Sequence, residues 1–333
     1  MSIQSARSID VHAHAVLPGT MGTAGSHGPE IGSDGPDQPW FRVGSYRLDG
    51  VRYTGSAFMD VDLRLENMQA AGIEFQVLSP NPLTYFHHIE AGQAIAYCRR
   101  HNDELAALVS RHPTRLAALA SLPMQCPRAA REELERAVTD LDMLGACIGA
   151  ELPLALDSEQ LDDFYATVCE LDVPLFIHPA PPGIDGPPGD KRLQRFELEI
   201  MLGFACQEAL AIATLILGGV MSRHPTLDVC LSHGGGSIAV LAERLADAAR
   251  RRPWSPGELR QDGVFEELLS RFWLDNHVHD KTVLQLLERH VGPGHIVLGT
   301  NFSGWDQPRA VDVDDPGTRR MADNARRLLR VAS

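Results

Sequence analysis

No two cysteines in this chain stand in a C-x-x-C pair. The six that occur, Cys98, Cys126, Cys147, Cys169, Cys206 and Cys230, are scattered, several of them in apolar runs. That leaves no paired-cysteine metal or redox motif, and it predicts buried free thiols in a reducing compartment. Positive charge is also scarce. The net charge of −14 and the lack of any basic cluster speak against a nucleic-acid partner. The one arginine run, Arg250 to Arg252, falls in a helical region and reads as a solvated face. The first residues, MSIQSARSIDVHAH, contain no apolar h-region, so no signal peptide is expected there. The longest apolar stretch, EALAIATLILGGVM (208–221), is too short and too interrupted to be read as a bilayer span. Internal repeats are absent. The expectation is a cytoplasmic protein with no membrane partner.

What is present is a large apolar inventory. With 333 residues, 44% of them hydrophobic, the chain can fill the core of one large α/β barrel or of two medium domains. Eight near-continuously apolar runs read as strands buried on both faces: 8–14, 75–80, 116–122, 146–152, 174–178, 228–233, 272–276 and 296–301. Helical patterns with acidic starts separate them, as at 60–72, 90–112, 127–145 and 157–172. Strand–helix alternation repeated eight times predicts a (β/α)8 TIM barrel spanning 1–333, with a doubly wound open sheet as runner-up. The barrel is preferred because polar residues recur at strand ends: His12, His14, Glu151, His178, His233, Asp275 and Asn301. In a barrel those ends meet at one mouth. Two segments break the alternation. Residues 15–58 form an irregular insertion after the first strand, with a small hairpin expected around FRVGSYRLDGVRYTG. Residues 179–196 form a Pro/Gly-rich lid loop. Both are expected over the mouth, where Trp40, Phe41, Tyr46, Tyr53 and Phe196 either sandwich a flat ring or form the lobe's core.

DVHAH places His12 and His14 two residues apart at a strand end, so both side chains point to one side. Two imidazoles so placed can share a divalent metal, and His178, closing the fifth strand, is the natural third ligand. Three histidines with an open position fit a catalytic zinc site, although Mn, Fe or Co suit the same donors. His233 closes the sixth strand and precedes three glycines. It reads as a fourth ligand or, as we favour, a general acid/base beside the metal. The glycines permit close approach and could present N–H groups to an anion.

Six stretches together resemble the amidohydrolase superfamily, in the branch of aminocarboxymuconate-semialdehyde decarboxylase and related aromatic-acid decarboxylases. They are IDVHAHAVLP (9–18), DVDLRLENMQAAGIEFQVLS (60–79), PLFIHP (174–179), ILGGVMSRHPTLDVCLSHGGGS (216–237), FWLDNHVHD (272–280) and IVLGTNF (296–302). The resemblance implies a divalent metal, zinc first, held by His12, His14 and His178, with His233 polarising water at the metal. It implies an arginine from the insertion, Arg52 or alternatively Arg47, gripping the substrate carboxylate, and it makes a homodimer the expected state. Arg244 is a loose candidate for an arginine reaching a neighbouring subunit's site. The sequence departs from the family at Asn301, where an aspartate is usual. Asparagine offers a carbonyl oxygen but accepts no proton. Asp306, five residues on, and Asp275 are the carboxylates that could substitute.

The reading that results is a metal-dependent decarboxylase of an unsaturated or aromatic carboxylic acid. The alternatives are a hydrolase or hydratase on the same scaffold, and a non-catalytic relative whose lost acid, at Asn301, is its only support.

Overall fold

Strands buried on both faces need apolar side chains on both, and the runs predicted as strands satisfy that demand. The computed structural model describes residues 2–184, 186–307 and 310–331, so the ends of the 1–333 unit and Asp185 of the lid loop lie outside the described residues. The chain opens with β1 (Ile9–Ala15). A lobe follows: β2 (Glu30–Ser33), β3 (Pro39–Val43) and β4 (Tyr46–Asp49) form a small antiparallel sheet in that order. The hairpin expected in the insertion is the β3–β4 pair.

The parallel series then resumes with β5 (Phe75–Pro80), β6 (Leu116–Ala118), β7 (Ala120–Ser121), β8 (Ala146–Gly149), β9 (Leu175–His178), β10 (Val229–Leu231), β11 (Trp273–Asp275) and β12 (Ile296–Val297). β6 and β7 are the single predicted strand 116–122, interrupted at Leu119. Pairing runs β1–β5–β6 and β7 through β12, all parallel. Parallel bridges Asp10–Leu298 and Ala13–Phe302 join the last strand to the first. The ring is the expected (β/α)8 barrel and not a doubly wound sheet.

Around it lie α1 (Val61–Ala70), α2 (Ala91–Ser110), α3 (Pro127–Thr139), α4 (Asp162–Glu170), α5 (Phe204–Leu217), α6 (Val220–Arg223), α7 (Ile238–Arg251), α8 (Val264–Ser270), α9 (Lys281–Val291) and α10 (Pro316–Leu328). Acidic residues begin several of them by local chemistry. The carboxylates of Asp60, Glu90, Asp280 and Asp315 each accept from backbone N–H groups of the first turn. None of the six cysteines is in a disulfide. Cys98, Cys147 and Cys230 are buried as expected, whereas Cys206 is exposed.

Alternation along the strands sorts side chains into two cores. Val77, Cys147, Phe176, Cys230, Trp273 and Val297 share one buried cluster, while Leu78, Ile148, Ile177, Leu231 and Leu274 pack in the larger cluster that includes the helices. His178 and Asp275 stand two residues beyond Phe176 and Trp273, so the same period carries them to the face shared with that first cluster. β1 is out of simple phase, because its register against β5 shifts between Asp10 and Ala13.

A π-helical turn, Glu199–Gly203, runs directly into α5. The resulting helix, Glu199–Leu217, has 19 residues and a mean hydropathy of 1.9, long and apolar enough to cross a membrane by length and composition. The apolar stretch at 208–221 overlaps only the C-terminal half of this helix, whose first turns, Glu199–Gln207, mix polar and apolar residues. Glu208 is fully buried in the middle of this helix and bonded to the barrel mouth, which is the habit of a core helix.

Candidate active site

His12, His14 and His178 meet at the mouth. Their ring centroids lie 4.6 to 5.3 Å apart, and one donor atom from each falls within 4.8 Å of the others. Each Nδ1 is committed elsewhere. His12 Nδ1 donates to Asp275 Oδ2 at 2.7 Å, His14 Nδ1 to the Pro80 carbonyl at 3.0 Å and His178 Nδ1 to the Pro179 carbonyl at 2.6 Å. These acceptors fix the tautomer, so all three Nε2 atoms carry bare lone pairs. Nε2 of His12 faces Nε2 of His178 at 3.1 Å, and Nε2 of His14 is buried without a partner. Buried bare lone pairs pointing at one another repel unless a cation lies between them, and the three residues fit a divalent metal for that reason. Burial holds all three imidazoles neutral: it pushes His12 and His178 well below the ordinary range and His14 to about 3.

Buried groups brace this cage. Asp275 also accepts from the backbone N–H groups of Gly234 and His277, so it orients His12 and ties three loops together. Arg64, buried under the ring of Phe302, donates to the His14 carbonyl at 2.6 Å and to Gln76 Oε1. Gln76 donates to Asp10, which accepts from Thr300 and the His12 N–H. Burial lifts Asp10 to about 6 and lowers Arg64 to about 10.

His233 stands beside the cage, 5.0 Å from the His12 ring and 5.2 Å from that of His178. Its Nδ1 pairs with Glu208 Oε1 at 2.8 Å, and Ser232 Oγ donates to the same oxygen. Burial opposes charge on His233, but the Glu208 carboxylate outweighs it and lifts the imidazole to about 9. Burial likewise pushes the Glu208 acid upward. His233 and Asn301 both adopt positive φ, 45° and 46°, a conformation uncommon for residues other than glycine. The glycines after His233 do not hold an anion. The N–H groups of Gly234, Gly235 and Gly236 go to Asp275, Ser232 and His233, and a Cβ on Gly236 would strike the Ala205 carbonyl at 2.3 Å. Close approach is needed here by helix α5.

Asn301 turns its amide to Asp306, Nδ2 to Oδ1 at 2.9 Å, and Asp306 Oδ2 accepts from His277 Nε2 at 2.9 Å. Asp306 thus folds back to the mouth and Asp275 does not reach the open side. Burial works to raise Asp306, but His277 and Asn301 hold it down at about 2.

A cavity of about 580 Å³ joins these groups. Its walls are Tyr46, Leu48, Tyr53, Phe58, Leu83, Phe204 and Trp305, with His14, His178, His233, His277, Asn301 and Asp306 at its polar end. Of the anticipated aromatics, Tyr46 and Tyr53 line it. Phe41 packs behind Tyr53, Trp40 stacks with Arg47 and Phe196 is exposed.

The structure does not bring Arg47 or Arg52 to this cavity. Along β4 Tyr46 and Leu48 face inward, so Arg47 faces outward, where it pairs with Asp34 and with Asp49. Arg52 lies 58% exposed beside Asp37. Arg244 lines an outer groove with Glu243 and Arg251. Glu151 belongs to a neighbouring pocket with His88. Sequence reasoning passed over Glu208, His277 and His279. Signals existed: one carboxylate inside an apolar helix, and a His-x-His after strand seven at the spacing used in strand one.

Comparison with known proteins agrees with this geometry. A family model described as amidohydrolase matches residues 9–331. A 2-amino-3-carboxymuconate-6-semialdehyde decarboxylase from Dictyostelium discoideum is 31% identical over 258 residues, 77% of this chain and 70% of that one. A gamma-resorcylate decarboxylase from Rhizobium sp. (strain MTP-10005) is 34% identical over 290 residues, 81% of this chain and 87% of its own. Among solved structures, a dihydroxybenzoic acid decarboxylase from Polaromonas with bound manganese and 2-nitroresorcinol superposes with a TM-score of 0.72 at 22% identity, covering 97% of both chains.

Proposed function

Since the chain belongs to the amidohydrolase family, we propose that it is a metal-dependent carboxy-lyase that removes carbon dioxide from an aromatic or unsaturated carboxylic acid. The observation that carries this reading is the convergence of Nε2 of His12, His14 and His178, with the His14 atom buried and unpartnered, beside an apolar cavity and a histidine–carboxylate pair. Zinc is the first choice of ion and manganese, held by the Polaromonas decarboxylase, the second. A divalent ion there supplies Lewis-acid chemistry, acidifying water and orienting substrate oxygens.

The chain's own groups do the rest. Tyr46, Tyr53, Phe58 and Phe204 wall a slot suited to a flat ring. His233, with Nδ1 committed to Glu208, has Nε2 left for the substrate side. Its raised affinity for protons suits it to act as the acid. It delivers a proton to the carbon that bears the carboxylate. A C–H bond forms, the C–C bond to the carboxylate breaks, its electron pair returns to the ring, and His233 recovers a proton from water. Glu208 stabilises the imidazolium and fixes its orientation. Asn301 cannot exchange a proton and serves to hold Asp306.

The test is chelation followed by assay of 2,6-dihydroxybenzoate and related acids. Carbon dioxide release should vanish with the metal and return on reloading. Incorporation of solvent oxygen into the product would instead mean a hydrolase or hydratase. Homodimerisation, which rests on the family resemblance, is tested by sedimentation.

A further inference from the structure

The carboxylate that folds back to the mouth is not delivered to the three-histidine cage. It joins a different pair of nitrogens. Asp306 Oδ2 lies 2.9 Å from His277 Nε2 and 3.9 Å from His279 Nε2, and donor atoms of all three residues fall within 4.8 Å of one another. From this geometry we propose a second divalent-cation site at the cavity rim, ligated by His277, His279 and Asp306.

The site is built. Asn301 Nδ2 occupies the other oxygen of Asp306, which aims Oδ2 at the imidazoles. The His277 N–H is held by Asp275, the same carboxylate that orients His12. The side chains of His277 and Asp306 are nearly buried, at 5% and 8% exposure, so their positions are fixed by packing. His279 is 72% exposed and free to swing into water, yet its ring stands edge-on to His277 at 5.6 Å with Nε2 toward the carboxylate. A plain His277–Asp306 hydrogen bond would not require that. Two imidazoles and one carboxylate form a borderline donor set with open positions, suited to Zn, Co or Mn.

The cavity also has a use for the charge. Among the described lining residues none is lysine or arginine, while the polar end carries Glu208, Asp280 and Asp306. An anionic substrate entering there meets acidic groups. A cation at the rim supplies the opposite charge that Arg47 and Arg52, turned outward, do not.

The site stands on its own side chains, so it can be tested apart from the cage. Metal-free protein is titrated calorimetrically with Co2+, for wild type and for His279→Ala, whose exposed position spares the fold. Asp306→Asn serves as the second variant. The expected result is two equivalents in wild type and one in each variant. A single equivalent in wild type, or two equivalents persisting in both variants, overturns the site. The cage reading fails separately, if the equivalent left in His279→Ala survives an added His14→Ala.

Discussion

Two corners of the same mouth use histidine in opposite ways. At the β1–β9 corner, His12, His14 and His178 are buried, each Nδ1 is spoken for, and their Nε2 atoms converge. At the β11–β12 corner, His277 has its nitrogen matched by Asp306 and His279 reaches into solvent. The first arrangement is unfavourable without a positive ion, because unmet buried polar atoms cost about 1–3 kcal/mol each. The second is satisfied as it stands, so a cation there binds more loosely and gives way first to chelators. The contrast teaches that ligand strength at this mouth follows from the accounting of partners more than from residue type.

The most severe break should come from the tight corner. Removing one cage ligand by His14→Ala or His178→Ala should abolish the tightly held metal and lower kcat/KM by at least about a thousandfold. Elemental analysis and initial rates on the same preparation check it. Next in size is the acid between the corners. His233→Asn should lower kcat by roughly 100- to 10,000-fold while the cage keeps its metal, since His233 is not needed to hold it. Metal retention with a large rate loss separates this from a cage defect.

A smaller effect concerns acid stability of the chelated protein. His14 and His87 are driven to about 3 and His101 to about 4, all by burial. Unfolded, each titrates near 6.5, so below that pH the unfolded chain takes up protons that the folded one refuses. Stability therefore is lost as pH falls from about 6.5, each group contributing about 1.4 kcal/mol per pH unit. Asp10, raised to about 6, acts in the opposite sense between its unfolded value near 3.8 and 6. His233, raised to about 9, works on the alkaline side: its stabilisation is lost as pH rises from about 6.5 through 9. The melting temperature should therefore peak near pH 6.5 to 7, declining both below that range and toward pH 9. The smallest effect is expected outside the mouth. Arg47→Ala and Arg52→Ala should change kcat/KM by less than about twofold, because exposed ion pairs contribute little and neither side chain meets the cavity.

The barrel itself was legible. All eight predicted strands lie where apolar runs of the right length stand between helix signals, since burial on both faces leaves a direct mark on sequence. The coming together of His12, His14, His178 and His233 followed from their positions at strand ends once a barrel was chosen. The partners were not legible. Glu208 sits 25 residues before His233 and looks like a break in an apolar helix, because only the three-dimensional path of α5 over the mouth joins them. The arginines were implied by the family resemblance alone, but the two-residue period of β4 decides which side faces in, and it turns Tyr46 and Leu48 inward and Arg47 outward. Asn301 and Asp306 looked like a lost acid and a distant one. The turn between them, with Asn301, Ser303 and the Gly304 approach to the Asn301 carbonyl, brings the two side chains into contact.

The most direct measurement is metal content and carbon dioxide release on one sample, for wild type and His14→Ala, across a panel of hydroxylated benzoic acids. The account predicts a tightly held divalent metal and release in wild type, and the loss of both in the variant. A wild-type protein that releases carbon dioxide at full rate after exhaustive chelation, or a His14→Ala protein that keeps metal and rate, would contradict it.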